Sequence, residues 1–143
     1  MGQQVAPPEE LPVSGSCVVS LASNVFRRER CDLSTDGGSV PNGSLLVIQH
    51  VSAACSTAPN RGIFTLALIT RTSVEGPMRT THIPVAIQAV TPEQVRLVGA
   101  QNARIYAGSV TSVEALSSTF ESAPPGHTGC DPSFTGVLKR INE

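Results

Sequence analysis

Apolar and polar positions alternate along this chain in short runs, and the runs are separated by glycine, proline and asparagine. Cys17-Val18-Val19-Ser20-Leu21 predicts a first strand turning at Asn24, and a polar segment from Phe26 to Leu33 follows it. Asp36-Gly37-Gly38 and Pro41-Asn42-Gly43 form an extended turn region before the strongest strand signal, Leu45 to Ser52. The apolar residues of that run fall on both faces, as in a strand in the middle of a sandwich. Pro59-Asn60-Arg61-Gly62 turns the chain into Ile63 to Thr70, which places Phe64, Leu66 and Leu68 on one side. Beyond the Glu75-Gly76-Pro77 turn, Ile83, Val85 and Ile87 alternate with His82, Pro84 and Ala86, so Met78 to Ile87 predicts a half-buried strand. Pro84 cannot donate to a ladder and marks an edge or a bulge there.

Three shorter runs follow, Gln94 to Gly99, Arg104 to Ala107 and Val110 to Leu116. After the loop Ala123 to Gly129, Ser133 to Ile141 closes the chain as a last strand. Thr91-Pro92 suits the start of a helix, with Thr as cap and Pro at the first helical position, so one short helical turn competes with a plain turn there. No sustained helical period and no repeat of about 20 to 50 residues is present. The prediction is an all-β, antiparallel β-sandwich, jelly-roll-like, with at most one short helical turn. Residues 1–15 are expected to be a flexible polar leader and 16–143 a single β-sandwich domain.

Composition supports one core and removes several function classes. At 143 residues the chain can bury roughly 70% of its unfolded surface in one domain. Its 40% hydrophobic content and net charge of −1 argue against disorder. The longest apolar run, Leu45 to Ile48, falls far short of the ~20 residues of a membrane-spanning helix. Ten basic residues against eleven acidic ones give no electrostatic drive toward nucleic acid or an anionic membrane. Lys139 is the one lysine, whereas Ser and Thr together fill twenty-eight positions, a balance that favours strands over helices.

The cysteines set the expected compartment. Cys17, Cys31, Cys55 and Cys130 form an even set with no CxxC and no Cys-His pair at zinc spacing, which favours disulfides over a metal knuckle or buried free thiols. Three pairings are possible. Cys55 follows the strongest strand and Cys130 precedes the last one; if those strands are antiparallel neighbours, the two sulfurs meet, which leaves Cys17 with Cys31 across the first hairpin. Such a protein is expected to be secreted or periplasmic. The polar, Pro-rich opening Met1 to Glu10 has no basic segment and no apolar stretch, so no signal peptide is read in it, and Met1 is read as a start residue placed after a natural signal was removed. Asn42-Gly43-Ser44 fits a glycosylation sequon, which matters only in a eukaryotic secretory setting.

Candidate chemistry is sparse. His50, His82 and His127 form no HxH or HxxxH pair, and the paired histidines of a cupin strand are missing, so His50 is expected in the core with a hydrogen-bond partner, His82 on an outward position and His127 in a loop. Ser14-Gly15-Ser16 reads as a flexible turn, and no G-x-S-x-G elbow or phosphate-binding glycine loop occurs. The close acidic pair is Glu9-Glu10 in the leader, and Asp32 and Asp36 lack the alternation of a calcium loop. Arg27-Arg28-Glu29-Arg30 is the one dense charge cluster; without neighbouring aromatics it reads as a solvated hairpin stabilised by Glu29 and Asp32. Tyr106 as sole tyrosine, with no Trp, offers little to a sugar ring. No catalytic, cofactor-binding or metal residue is assigned, and no cofactor.

Val40-Pro41-Asn42-Gly43 followed by Ser44 to Ser52 resembles the turn-and-strand segment of small uncharacterised exported bacterial proteins, and Ser133 to Leu138 is similar to the way such chains end. The resemblance covers about twenty residues. It implies a secreted bacterial β-sandwich and carries no site residues. The expected function is therefore a non-enzymatic exported structural or binding module of unknown ligand. A weakly charged surface rich in Ser, Thr, Val and Ala gives copies little reason to repel one another, so self-association to a homo-oligomer fits it. The alternatives are a small metal-binding cupin-like enzyme using the scattered histidines, or a subunit of a pilus or virus-like shell.

Overall fold

The computed structural model describes residues 10–21, 26–34, 38–57, 63–119 and 128–141. Met1 to Glu9, the turns at Asn24 and Pro59 to Gly62, Asp36 and His127 lie outside the described residues. The described chain is all-β: β1 (Glu10–Ser16), β2 (Val19–Ser20), β3 (Phe26–Arg30), β4 (Asp32–Leu33), β5 (Ser44–Thr57), β6 (Ile63–Arg71), β7 (Met78–His82), β8 (Ala86–Val90), β9 (Val95–Ala107), β10 (Glu114–Thr119) and β11 (Gly129–Arg140).

These strands form two antiparallel sheets packed as a β-sandwich. One has the order β4-β1-β11-β5-β9-β8, with β2 also paired to β11, and the other the order β3-β10-β6-β7. Setting aside the short β2 and β4 and the added edge strand β8, the remaining eight strands lie in the orders 1-8-3-6 and 2-7-4-5. The first strand is thus beside the last, and the chain crosses repeatedly between sheets, which is the jelly-roll wiring. Between the sheets lie Val13, Leu46, Ile48, Val51, Leu66, Leu68, Ile105, Val113, Phe134 and Leu138, all buried. Among the described residues, branched aliphatic side chains and the Phe134 ring fill this core.

The period-2 rule explains the burial pattern, and its exceptions explain where sequence expectation departs from structure. Along β5, Leu46 and Ile48 face inward, but so do Val51, Ala53 and Cys55. The reconciliation is a β-bulge: Ile48 and His50 have cross-strand partners in both neighbours, while Gln49 between them has none. His50 is consequently half-buried on the outward face, not in the core as expected. Met78 to Ile87 is two strands in different sheets, because the chain leaves β7 and crosses to β8 through Ile83, Pro84 and Val85, with Ile83 buried. Gln94 to Gly99 and Arg104 to Ala107 are halves of a single β9, interrupted where Ala103 and Arg104 lack partners in β5.

Two further expectations change. Ser14-Gly15-Ser16 is strand, not turn: β1 reaches back to Glu10 and pairs with β11 over seven residues, so strand begins within the stretch expected to be leader. Thr91 to Gln94 is the tight turn of the β8–β9 hairpin, not a helical turn; the Thr91 and Gln94 N–H groups each donate to the other residue's carbonyl, and the Gln94 N–H also reaches the Thr91 hydroxyl.

Both disulfides pair as the strand argument predicts, Cys17–Cys31 and Cys55–Cys130. Cys55 and Cys130 are direct cross-strand partners in β5 and β11. Cys31 stands where the chain passes from β3 in one sheet to β4 in the other, so its bond to Cys17 ties the two sheets at that corner. Two buried bridges indicate an oxidising environment. Among the described residues, no helix is long and apolar enough to cross a membrane.

Candidate functional site

The most chemically featured surface is the outward face of the four-stranded sheet. In β3, Phe26-Arg27-Arg28-Glu29-Arg30, alternation sends Arg28 and Arg30 to the same side. Register aligns Arg30 with Glu114 of β10 and Ile69 of β6, and Arg28 with Leu116 and Ala67. Two residues beyond Ile69, Arg71 joins this face opposite Met78 of β7.

Arg28 makes the central contact. Its Nε donates to Glu114 Oε2 at 2.9 Å and an Nη donates to Oε1 at 2.7 Å, the two-pronged geometry that gives an arginine–carboxylate pair its directionality. The same Nη reaches Met78 Sδ at 3.1 Å, so the guanidinium spans the face from β3 to β7. On this outward side Ala67 and Ile69 are nonetheless buried, flanked in register by Leu116 and Glu114 of β10 and by His82 and Thr80 of β7.

At one end the face opens into a cleft of about 290 Å³ lined by Ile69, Arg71, Val74, Val110, Thr111, Ser112 and Glu114. Arg71 Nη1 donates to the Val74 carbonyl at 3.2 Å and so holds the turn after β6. The opposite wall is pinned by a ring of main-chain bonds, Gly108 N–H to Arg71 O, Val110 N–H to Val40 O and Val40 N–H to Thr111 O, with the Thr111 hydroxyl donating to Gly108 O at 2.7 Å. Position 108 tolerates no side chain, since a Cβ there would lie 1.8 Å from the Thr72 carbonyl oxygen. Within this ring Val110 has φ 63°, a left-handed conformation that costs a β-branched residue on the order of 1–3 kcal/mol, and it is 56% exposed at the rim, as is Val74. Strain held by surrounding bonds beside an open cleft is characteristic of functional surfaces.

Electrostatics favour a negative guest. The Arg28 hydrogen bonds hold Glu114 below the usual carboxylate range against the opposing effect of its partial burial, and the charges of Arg28, Arg71 and Arg30 add to the lowering. Glu114 in turn pushes Arg28 up. Both Glu114 oxygens are occupied by Arg28, whereas Arg71 and Arg30 donate to neutral oxygens, those of Val74 and Ser39. Three guanidiniums thus surround one already paired carboxylate.

The sequence-derived candidates are dispersed. His50 lies on the outward face of the larger sheet with Nδ1 3.3 Å from Asn102 Oδ1, and His82 is exposed on β7 of the other sheet. Among the described residues no cluster of three His, Cys, Asp or Glu side chains is disposed to hold a metal. The arginine cluster is stabilised within itself by Arg27–Glu29, as expected, but its strongest partner is Glu114 rather than Asp32, which lies on β4 in the other sheet. Glu10 pairs with Lys139 at 3.4 Å. Glu114 and Arg71 went unread because the Arg28–Glu114 pair spans 86 positions; the signal available was the isolated charge inside the apolar-patterned run Val110 to Leu116. Comparison with protein-family models and with curated proteins finds no match to this chain.

Proposed function

We propose that this chain is a non-enzymatic, exported module, secreted or periplasmic and of bacterial origin, that works by binding, and that its ligand is a small molecule bearing an anionic group. The observation that carries this reading is Arg71 at the wall of the cleft, in a setting where Arg28 has already neutralised the one carboxylate. The guanidinium and the Thr111 and Ser112 edge suit the anion, and Val74 and Val110 suit an apolar portion. The two disulfides support the exported part, as does the resemblance of Val40 to Ser52 to exported bacterial proteins. Self-association belongs to the same reading. A cupin-like metal enzyme is less well supported, because His50 and His82 are carried by different sheets.

Isothermal titration with acetate, succinate and inorganic phosphate tests the site. Binding of at least one probe is expected, with loss in Arg71→Ala and partial loss in Arg71→Lys, while Arg104→Ala on exposed β9 leaves it intact. Failure of all three probes to bind, or binding indifferent to Arg71→Ala, overturns the assignment.

A further inference from the structure

We infer that Asn42 is a site of spontaneous modification, converted with water alone, through a cyclic imide formed with Gly43, to a mixture of aspartate and isoaspartate. An asparagine is labile when the main-chain nitrogen that follows it can reach its side-chain carboxamide, and the following residue decides whether it can. Of the five asparagines in the chain, Asn24, Asn60, Asn102 and Asn142 precede Val, Arg, Ala and Glu, whose Cβ atoms crowd the attacking nitrogen. Asn42 alone precedes a glycine.

The turn that carries the pair leaves this reaction open. Ser44 N–H donates to the Pro41 carbonyl at 3.1 Å and Gly43 has φ 79°, the type II arrangement with glycine as its third residue. Asn42 and Gly43 are both exposed, so water reaches them, and a Cβ built on Gly43 would meet nothing within 4 Å. Among the described residues, the peptide unit between Asn42 and Gly43 gives neither its carbonyl nor its N–H to a main-chain partner. The Ser44–Pro41 bond and the bond from Ile141 N–H to the Gly43 carbonyl belong to the units on either side. Glycine takes positive and negative φ about equally, so the free unit can turn over and carry the Gly43 nitrogen to the carboxamide carbon in a rotation that requires neither flanking bond to break. Asn102, by contrast, is held in β9 opposite His50, with its Oδ1 3.3 Å from His50 Nδ1.

Water is the one co-reactant. The Gly43 nitrogen loses its proton and bonds to Asn42 Cγ, the Cγ–Nδ2 bond breaks, and ammonia leaves. Water then opens the imide. Attack at Cγ restores the ordinary main chain as aspartate, whereas attack at the main-chain carbonyl carbon leaves the chain running through Cγ as isoaspartate. Either product has a carboxylate where a neutral amide stood, and isoaspartate adds one carbon to the main chain inside the ring closed by the Ser44–Pro41 bond. That bond is thereby loosened, together with the Ile141 bond that joins this turn to the end of β11.

Incubating the oxidised full chain in warm, mildly alkaline buffer tests this, with a free peptide of the sequence Val40 to Leu45 in the same buffer as a clock and peptide mapping as the readout. Asn42 is expected to be the first asparagine to gain the mass of an NH2-to-OH exchange, as two separable products, and Asn42→Gln to show no change at that position. Amide hydrogen exchange should find the protection of Ser44 and Ile141 reduced in aged wild type and retained in aged Asn42→Gln. Conversion of Asn102 or another asparagine ahead of Asn42, or an intact Asn42 once the free peptide is fully converted, overturns the modification site. A converted Asn42 with Ser44 and Ile141 still protected overturns the loosening of the turn.

Discussion

The ring of Phe134 lies over Gly15: the two are cross-strand partners in β11 and β1, and a Cβ built on Gly15 would sit 2.1 Å from the ring's Cζ. Glycine here is a packing requirement, because the ring fills the volume that any side chain at position 15 would need. Gly15→Ala is expected to destabilise the fold by about 2 kcal/mol or more, through overpacking of a closed core. In a Phe134→Leu background the same substitution should cost much less, since the shorter side chain vacates that space. Urea denaturation of the four proteins of this cycle measures the coupling, and strictly additive losses contradict the packing account.

The two bridges are expected to contribute unequally. They close loops of 14 and 75 residues, for which the chain-entropy model gives about 3 and about 4.5 kcal/mol respectively. Removing Cys55 and Cys130 together should therefore lower stability more than removing Cys17 and Cys31 together. Guanidinium unfolding of the two double-alanine variants checks the order.

Glu114 makes stability pH-dependent in a defined direction. Its folded-state pKa is lowered by Arg28, so its contribution is fully present above the ordinary glutamate value of about 4.3 and is lost as pH falls through the lower folded value. At neutral pH Glu114→Gln is expected to cost about 1 kcal/mol, the scale of a part-buried bidentate pair. The difference between wild type and variant should shrink progressively below pH ~4. A difference that persists undiminished in acid contradicts the ion-pair origin.

Thr70 offers a gain. Its hydroxyl is buried without a hydrogen-bond partner on a β6 position 1% exposed, a desolvation cost with no return. Thr70→Val keeps the branched shape and removes the polar atom, so an increase of about 1 kcal/mol is expected in thermal or urea unfolding.

What was legible in the sequence follows from how locally each feature is encoded. β5, β6 and β11 announce themselves because their apolar runs face a core, and the disulfide pairing follows once β5 and β11 are set side by side. The Gln49 bulge was not legible: one extra residue reverses the inward set, and neither the run of apolar residues nor His50 marks where the reversal falls. The split between β7 and β8 was hidden for the opposite reason, since Ile83, Val85 and Ile87 keep a strand-like alternation through a crossing between sheets, with Pro84 the sole hint of a break. The cleft could not be read at all. Val110, Arg71 and Glu114 are collected by sheet register and by main-chain bonds between loops, which no spacing in the sequence encodes.

Pairing of the first strand with the last has a consequence for attachment. Glu10 and Lys139 face each other across β1 and β11, so the two ends of the sandwich leave it at one corner, separated from β8 by β5 and β9. A tether, neighbouring domain or surface anchor joined at either end pulls on the same corner of the fold.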